Sequence, residues 1–279
     1  MRYDLAQMTR RAKNPRRTSI KIRDIRTPTM FAGDLYRSSY KPAIDVWADA
    51  IPAILSEYSR TLGQTTDSPA DIEQKMQEAE RRFNLLSLTI TPNIQRWALK
   101  VETFFRKKWR AGILSATSVD IGTMIGPADV RQTLEAAINW NVALVKDVSA
   151  EAQRRMTSII YDGLRGNKPA REVAKELRGA VDLGRKRSIS IASDQLAKIT
   201  SSLADERRRE AGMNIWQWLH SGKKNFREDH KARDGDYYSD DPADVGKVVD
   251  GKTVKAAPED RVGQRPYCGC RSQGVLVFD

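Results

Sequence analysis

Residues 204–220 read ADERRREAGMNIWQWLH, and the character of the sequence changes within them. Before Glu210 the apolar residues recur at helical spacing, and Gly212 stands where a helix would end. The three arginines 207–209 of the final turn suit the helix dipole and need no ligand. In 215–219, Ile, Gln and Leu alternate with Trp216 and Trp218, which is typical of a β-strand. We therefore predict that a helical region ends here and that a different architecture follows.

Upstream of this point the pattern predicts seven helices. Ser68 is expected as an N-cap with Pro69 after it, and new helices are expected to begin at Pro92 and at Ser149. A Gly/Ser/Thr-rich connector is expected over residues 112–126. The predicted helices cover 41–62, 68–86, 91–109, 127–145, 149–163, 168–177 and 183–210.

Downstream, the sequence predicts a small cap that contains β-strands. Residues 247–254 form a predicted hairpin around the Asp250-Gly251 turn, and 274–278 a final strand. The predicted fold class is therefore mainly α: an elongated multi-helix N-terminal and central region, with a small C-terminal α+β cap of short antiparallel strands. The expected segments are a basic extended arm (1–40), a helical docking region (41–126) and a C-terminal domain (127–279) whose cap starts near residue 213.

The composition excludes several classes of protein. The 279 residues carry a formal net charge of +12, with 48 basic and 36 acidic side chains, which favours a polyanionic partner or a negatively charged surface as the binding target. No apolar run is long enough to span a bilayer, and the N-terminus lacks the apolar core of a secretory signal. Two cysteines cannot form a disulfide scaffold, and two histidines exclude a multi-histidine metal enzyme.

The charge is concentrated at the N-terminus. Residues 1–30 hold nine basic and two acidic side chains, more than half of the net positive charge. Few large apolar residues accompany them, so this segment is expected to be extended or disordered. It could lie on nucleic acid, or it could be only a solvated terminus. The candidate nucleic-acid contacts are Arg10, Arg11, Lys13, Arg16, Arg17, Lys21, Arg23 and Arg26.

The residues that could bind a metal or act in catalysis lie in the cap. A metal site would use His230, Cys268 and Cys270 with one carboxylate, for example Asp236, because zinc accepts such mixed ligands. The preferred interpretation is that these side chains only tie loops together, so no cofactor is expected, with zinc as the alternative.

Two catalytic functions are alternatives to the metal site. Cys268 could act as a nucleophile with His230 as its base, but no oxyanion element is evident. Acidic residues could bind Mg²⁺ or Ca²⁺ for nuclease chemistry, although their spacing does not fit an EF-hand. Trp216 and Trp218 could stack on bases, but are expected to pack in the cap, one on each face. The acidic candidates are Asp229, Asp234, Asp236, Asp240 and Asp241.

The order of motifs from residue 130 to 275 resembles a known family. A Gly-containing turn between helices and a long helix precede the tryptophan strand; Arg227-x-x-His230-x-x-x-x-Gly235 and Pro266-x-Cys268-x-Cys270-Arg271 follow. This pattern is similar to the phage Mu protein F-like (SPP1 gp7-like) minor head proteins, also called the phage head morphogenesis family. The residues on which this resemblance rests are expected to stabilise the cap. They are Trp216, Trp218, Arg227, His230, Asp234, Gly235, Pro266, Cys268, Cys270 and Arg271.

The resemblance implies a non-enzymatic minor capsid protein of a tailed bacteriophage or prophage. Its partners would be the portal protein, major capsid or scaffold proteins, and packaged double-stranded DNA bound without sequence specificity. It would lie inside the head near the portal vertex after assembly in the host cytoplasm, with no membrane anchor, and would influence head morphogenesis or DNA ejection. One alternative is a metal-dependent hydrolase or nuclease built on His230, Cys268 and Cys270, and another is a plain nucleic-acid-binding protein unrelated to virions.

Overall fold

The computed structural model describes residues 2–13, 15–63 and 70–278, and the chain is mainly α with a small C-terminal α+β cap. A π-helical turn, Tyr36–Tyr40, leads into the helix that begins at Lys41, and a 3₁₀ turn, Pro127–Val130, leads into the helix that begins at Arg131. The helices are α1 (Leu5–Lys13), α2 (Met30–Leu35), α3 (Lys41–Gly63), α4 (Ala70–Thr117), α5 (Arg131–Arg165), α6 (Ala170–Glu210) and α7 (Glu228–Ala232).

Three helices are longer than predicted, because the expected breaks do not occur. Pro92 lies inside α4, and the buried side chains of Ile90 and Ile94 flank it. A proline in a helix removes one backbone hydrogen bond, and burial of the apolar residues on either side offsets that loss. The predicted break between 177 and 183 is likewise absent from α6. The predicted cap at Ser68 lies outside the described residues.

Ser149 was expected to begin a helix and instead lies inside α5. Its buried hydroxyl accepts a hydrogen bond of 2.8 Å from the indole Nε1 of Trp47 on α3. Serine is favoured at an N-cap because its hydroxyl can accept from a backbone N–H there, and inside α5 the hydroxyl of Ser149 accepts from a distant tryptophan instead.

The end of α6 is as predicted. Gly212 has φ of 69°, a left-handed conformation that glycine adopts without steric cost. Its N–H donates to the carbonyl of Arg209, and the N–H of Met213 donates to that of Arg208. These two bonds form a Schellman motif, which satisfies the last helical carbonyls and turns the chain into the cap.

The strands are β1 (Ser19–Lys21), β2 (Ile215–Leu219), β3 (Tyr237–Ser239), β4 (Val248–Val249), β5 (Lys252–Thr253), β6 (Lys255–Ala256) and β7 (Arg271–Val277). The cap is built on a five-stranded sheet with the order β1-β7-β2-β3-β6. Its central strand β2 pairs antiparallel with β3 and β7, so that Trp218 lies opposite Ser272. The β3–β6 pair is parallel, which the prediction of antiparallel strands did not include.

The predicted hairpin at 247–254 is confirmed as the separate pair β4–β5. Asp250 and Gly251 both have positive φ, 50° and 75°. Two central residues with positive φ make a type I′ turn, whose twist matches that of the strands it joins.

The N-terminal segment is not the extended arm that its composition predicted. Residues 5–13 form α1, whose Leu5 is fully buried, and β1 pairs antiparallel with β7, with Ser19 opposite Val277. Residues 30–40 form α2 and the π-helical turn. The backbone groups along one edge of β7 need hydrogen-bond partners, and residues 19–21 provide them at the cost of ordering the segment.

The chain divides into two compact units that do not follow the predicted boundaries near 40, 126 and 213. The terminal unit comprises the described residues of Met1–Thr29, Ala98–Glu135 and Asp194–Asp279, and contains the sheet. The helical unit comprises those of Met30–Trp97 and Ala136–Ser193. Each unit combines segments that are distant in sequence, which a linear reading of composition does not detect. Within the described residues, no helix combines the length and apolarity that a membrane span requires.

Candidate metal centre

His230 is positioned by α7, the short helix that follows β2. Its side chain is 2% exposed, and its imidazole packs edge-on against the indole of Trp218, with ring centroids 5.1 Å apart. Trp218 lies on β2 and is itself fully buried. The central strand of the sheet therefore provides the surface on which the histidine is held.

Cys268 and Cys270 lie on the turn that leads into β7, and both are buried. Tyr267 begins this turn with φ of 61°, and its N–H donates to a carboxylate oxygen of Asp194 on α6. The two sulfurs face the Nδ1 atom of His230 at 3.5 Å for Cys268 and 3.8 Å for Cys270. Two thiols and one imidazole nitrogen thus converge in the core of the cap.

The other ring nitrogen of His230 faces a carboxylate. Nε2 lies 2.9 Å from Oδ2 of Asp260, a residue that also accepts a hydrogen bond from Arg233 and forms an ion pair with Arg265. An ionised carboxylate can only accept, so Nε2 is the ring nitrogen that carries the proton in the neutral imidazole, and Nδ1, which faces the two sulfurs, then has the lone pair.

The ionisation of these groups is set by their mutual contacts. Burial alone would raise the pKa of Asp260, but the hydrogen bonds from Arg233 and His230 outweigh it and hold that pKa below its usual value. The hydrogen bond from Cys270 lowers the pKa of the Cys268 thiol. The same bond, together with burial, raises the pKa of Cys270. Of the two thiols, Cys268 therefore ionises first.

Asp236, the carboxylate expected in the metal site, is not part of this group. Its side chain forms an ion pair of 2.6 Å with Lys255. Asp236 was the predicted carboxylate ligand and is close to His230 along the chain. Asp260, which contacts the histidine instead, lies on a loop thirty residues downstream. No motif marks Asp260, so sequence reasoning missed it.

The two tryptophans lie on the same face of the sheet, and the expectation of one on each face was wrong. Their ring centroids are 6.1 Å apart, and both pack with Tyr238, Cys268 and Cys270 in one apolar cluster. Side chains two residues apart on a strand point to the same side, which is the physical reason.

The remaining motif residues hold the loops of the cap. Arg227 donates to the carbonyl of Pro266, and Asp234 accepts from the backbone N–H of His220. Gly235, with φ of 80°, donates its N–H to the carbonyl of Trp218. Arg271 forms an ion pair of 2.8 Å with Asp24. Residues that are far apart in sequence are thereby tied around the His–Cys–Cys group.

Comparison with known proteins identifies no family. No family model matches the chain, and no solved structure matches it. A protein of Haemophilus influenzae strain Rd, described as an uncharacterized protein, is 22% identical over 132 residues. The match covers 46% of this chain and 30% of that relative, so the chain spans less than a third of the relative's length.

The eight candidate nucleic-acid contacts lie on the terminal unit and are all exposed. Lys21 pairs with Asp250, and Arg26 with Asp24. The other six have no acidic partner among the described residues, and Lys13, Arg16 and Arg17 line an open groove beside β1. These six are Arg10, Arg11, Lys13, Arg16, Arg17 and Arg23.

Proposed function

We propose that this chain is a minor head protein of a tailed bacteriophage or prophage, which acts in head morphogenesis at the portal vertex and contacts packaged DNA without sequence specificity. The observation that supports it is the convergence of the residues through which the sequence resembles the Mu F-like family. His230 meets Cys268 and Cys270 across about forty residues of chain, and Arg227 meets Pro266. The motifs thus form one structural unit rather than isolated matches.

The surroundings of these residues favour a structural rather than a catalytic role. His230, Cys268 and Cys270 are each at most 4% exposed, which leaves little surface for a substrate. The acidic residues considered for nuclease chemistry serve the fold: Asp240 pairs with Arg261, and Asp241 caps the 3₁₀ turn Pro242–Asp244. The hydrolase alternative would require these groups to face solvent together.

The charge distribution supports contact with DNA. The six unpaired basic residues lie within residues 10–23, and β1 fixes part of this segment against β7. Exposed cations without acidic partners release counterions when they contact phosphates, and such binding carries no sequence information. Because α1 and β1 are folded, this basic surface belongs to the cap rather than to a free tail.

Neutralising this surface is expected to weaken binding to double-stranded DNA. The variant has Arg10, Arg11, Lys13, Arg16 and Arg17 replaced by Gln. The slope of the logarithm of its binding constant against the logarithm of the salt concentration should become less negative by about 0.9 for each phosphate that the protein no longer neutralises. Fluorescence anisotropy with two duplexes of unrelated sequence measures the slope, and both duplexes should respond equally.

The matched control changes five exposed arginines of the helical unit to Gln, which lowers the net charge by the same amount. The control sites are Arg82, Arg96, Arg165, Arg171 and Arg178. The control should retain the wild-type slope. Equally shallow slopes in both variants would mean that net charge alone drives binding and that the surface near β1 does not bind the DNA.

The proposed location is tested in assembled heads. An epitope-tagged chain in the phage or prophage that encodes it is expected at the portal vertex of heads imaged by electron microscopy, and its deletion should yield fewer DNA-filled heads. Purified virions that lack the chain, combined with normal head yield after deletion, would contradict the proposal.

A further inference from the structure

We infer that His230, Cys268 and Cys270 bind a Zn²⁺ ion, which Asp260 supports by orienting the imidazole, and that this ion fixes the C-terminal cap. The site would bind zinc whether or not the protein belongs to a virion.

The distances between the donor atoms suit zinc. Zn–S bonds of about 2.3 Å and a Zn–N bond of about 2.05 Å, at a tetrahedral angle, place sulfur and nitrogen about 3.6 Å apart. The two sulfurs lie 3.5 and 3.8 Å from Nδ1 of His230. All three donor atoms lie within 4.8 Å of one another. An ion can therefore be accommodated without moving the backbone.

The second ring nitrogen of His230 makes the kind of hydrogen bond that a metal-bound histidine makes. A zinc-ligating imidazole commonly donates its other N–H to a carboxylate, which fixes the ring and increases the basicity of the ligand nitrogen. Asp260 occupies that position at 2.9 Å, and Arg233 and Arg265 hold its carboxylate in turn. The lone pair of Nδ1 is thereby presented to the site.

The indole of Trp218 packs in the same buried cluster as Cys268 and Cys270. The indole N–H of Trp218 is fully buried and has no acceptor among the described residues. A negatively charged sulfur on Cys270 would give this orphaned donor a partner.

The donor set selects a borderline-soft ion. Two thiolates and a neutral imidazole carry two negative charges, which a divalent ion neutralises in this buried place. Thiolates disfavour Mg²⁺ and Ca²⁺, which prefer oxygen ligands. The oxygen-rich neighbouring group of Asp229, His230 and Asp260 is a weaker candidate, because Arg233 and Arg265 already pair with both of its carboxylates.

The group supplies three protein ligands, and within the described residues no fourth His, Cys, Asp or Glu joins them. A water molecule would complete the tetrahedron. Lys223 passes over Gly269, the residue between the cysteines, and donates to the carbonyl of Tyr267. A side chain at 269 would meet Lys223 at 2.6 Å, so glycine allows this lysine to cover the turn.

The experiment uses the full chain, purified without chelator or polyhistidine tag. Elemental analysis should find about one zinc per chain, and replacement of zinc by Co²⁺ should produce thiolate-to-cobalt absorption in the near ultraviolet. Cys268→Ser, Cys270→Ser and His230→Ala should each lose the ion. His220→Ala, which changes the only other histidine, should keep it. Asp260→Asn should bind zinc about 10–100-fold more weakly and still bind it, as a positioning residue would.

Because the ligand variants could unfold the cap, a second measurement uses the unaltered protein. Removal of zinc by a chelator should increase amide hydrogen exchange in β2 and β7, and addition of zinc should restore protection. A purified chain that contains no zinc and shows no cobalt–thiolate absorption would overturn the inference. So would a disulfide between Cys268 and Cys270 in freshly purified protein, or zinc content unchanged in the two serine variants.

Discussion

Replacement of Arg207 by Ala is expected to lower the free energy of unfolding by about 3–5 kcal/mol, because it removes the buried cation that the buried carboxylates of Glu102 and Glu210 share. Arg207 is fully buried on α6. Its guanidinium lies 3.1 Å from Glu102 on α4 and 2.8 Å from Glu210, and it also donates to the carbonyl of Gly126. One side chain thus joins three segments of the terminal unit.

The N-terminal segment depends on the same group. Arg2 pairs with Asp129 and approaches Glu210 at 3.7 Å, and Asp129 also lies 3.5 Å from Arg207. The backbone N–H groups of Arg2 and Tyr3 donate to the carbonyl of Glu210. Loss of Arg207 should therefore also increase amide hydrogen exchange in α1.

Arg209→Ala is the matched control, since it removes an arginine two positions away. Its side chain is 62% exposed and pairs with Glu206 on the same helix, so a change of about 0–1 kcal/mol is expected. Urea unfolding monitored by circular dichroism separates the two variants. With m of about 3 kcal/mol/M, Arg207→Ala should lower the midpoint by at least about 1 M. Similar midpoints for both variants would show that the buried network contributes little.

Replacement of Trp218 by Ala is expected to lower the free energy of unfolding by about 3–5 kcal/mol, because a large buried side chain leaves a cavity. The indole contacts the ring of His230 at 5.1 Å and that of Trp216 at 6.1 Å between centroids, and Arg233 lies over its face. The cavity would open beside His230, so the residue that the proposed zinc site requires would also lose its support.

Trp140→Ala provides the comparison, because that tryptophan is 56% exposed on α5. Its loss should change the free energy of unfolding by no more than about 0.5 kcal/mol. Thermal unfolding and amide hydrogen exchange in β2 and β7 measure both variants. Unchanged exchange in β2 after Trp218→Ala would mean that the tryptophan cluster does not hold the sheet together.

Much of the fold could be predicted because its signals are local. The end of α6 at Gly212, the strand 215–219 and the Asp250-Gly251 hairpin each depend on a few neighbouring residues, and all three predictions are confirmed. The predicted helix breaks at Pro92 and Ser149 were wrong, since proline and serine weaken a helix locally but packing against distant residues outweighs that preference.

The candidate site could be predicted in part. Its three candidate metal ligands stand out because histidine and cysteine are rare in this chain, and the structure brings all three together. Their carboxylate partner could not be chosen, because 36 acidic residues give no sign of which one faces the histidine. Asp236 is nearer in sequence, yet it pairs with Lys255, and Asp260 takes the position.

The sequence by itself determined the type of the long helices, of the strand 215–219 and of the hairpin at 247–254, because hydrophobic periodicity and turn residues act over a few positions. Only the tertiary structure decided how distant segments pair. It made a strand of residues 19–21 by placing them beside β7, more than 250 residues away. It also buried Arg207 while leaving Arg209 in solvent, although both stand in the same run of arginines. The side chains of successive helical residues point about 100° apart. Whether a given side chain is buried therefore depends on which other elements pack against its face of the helix.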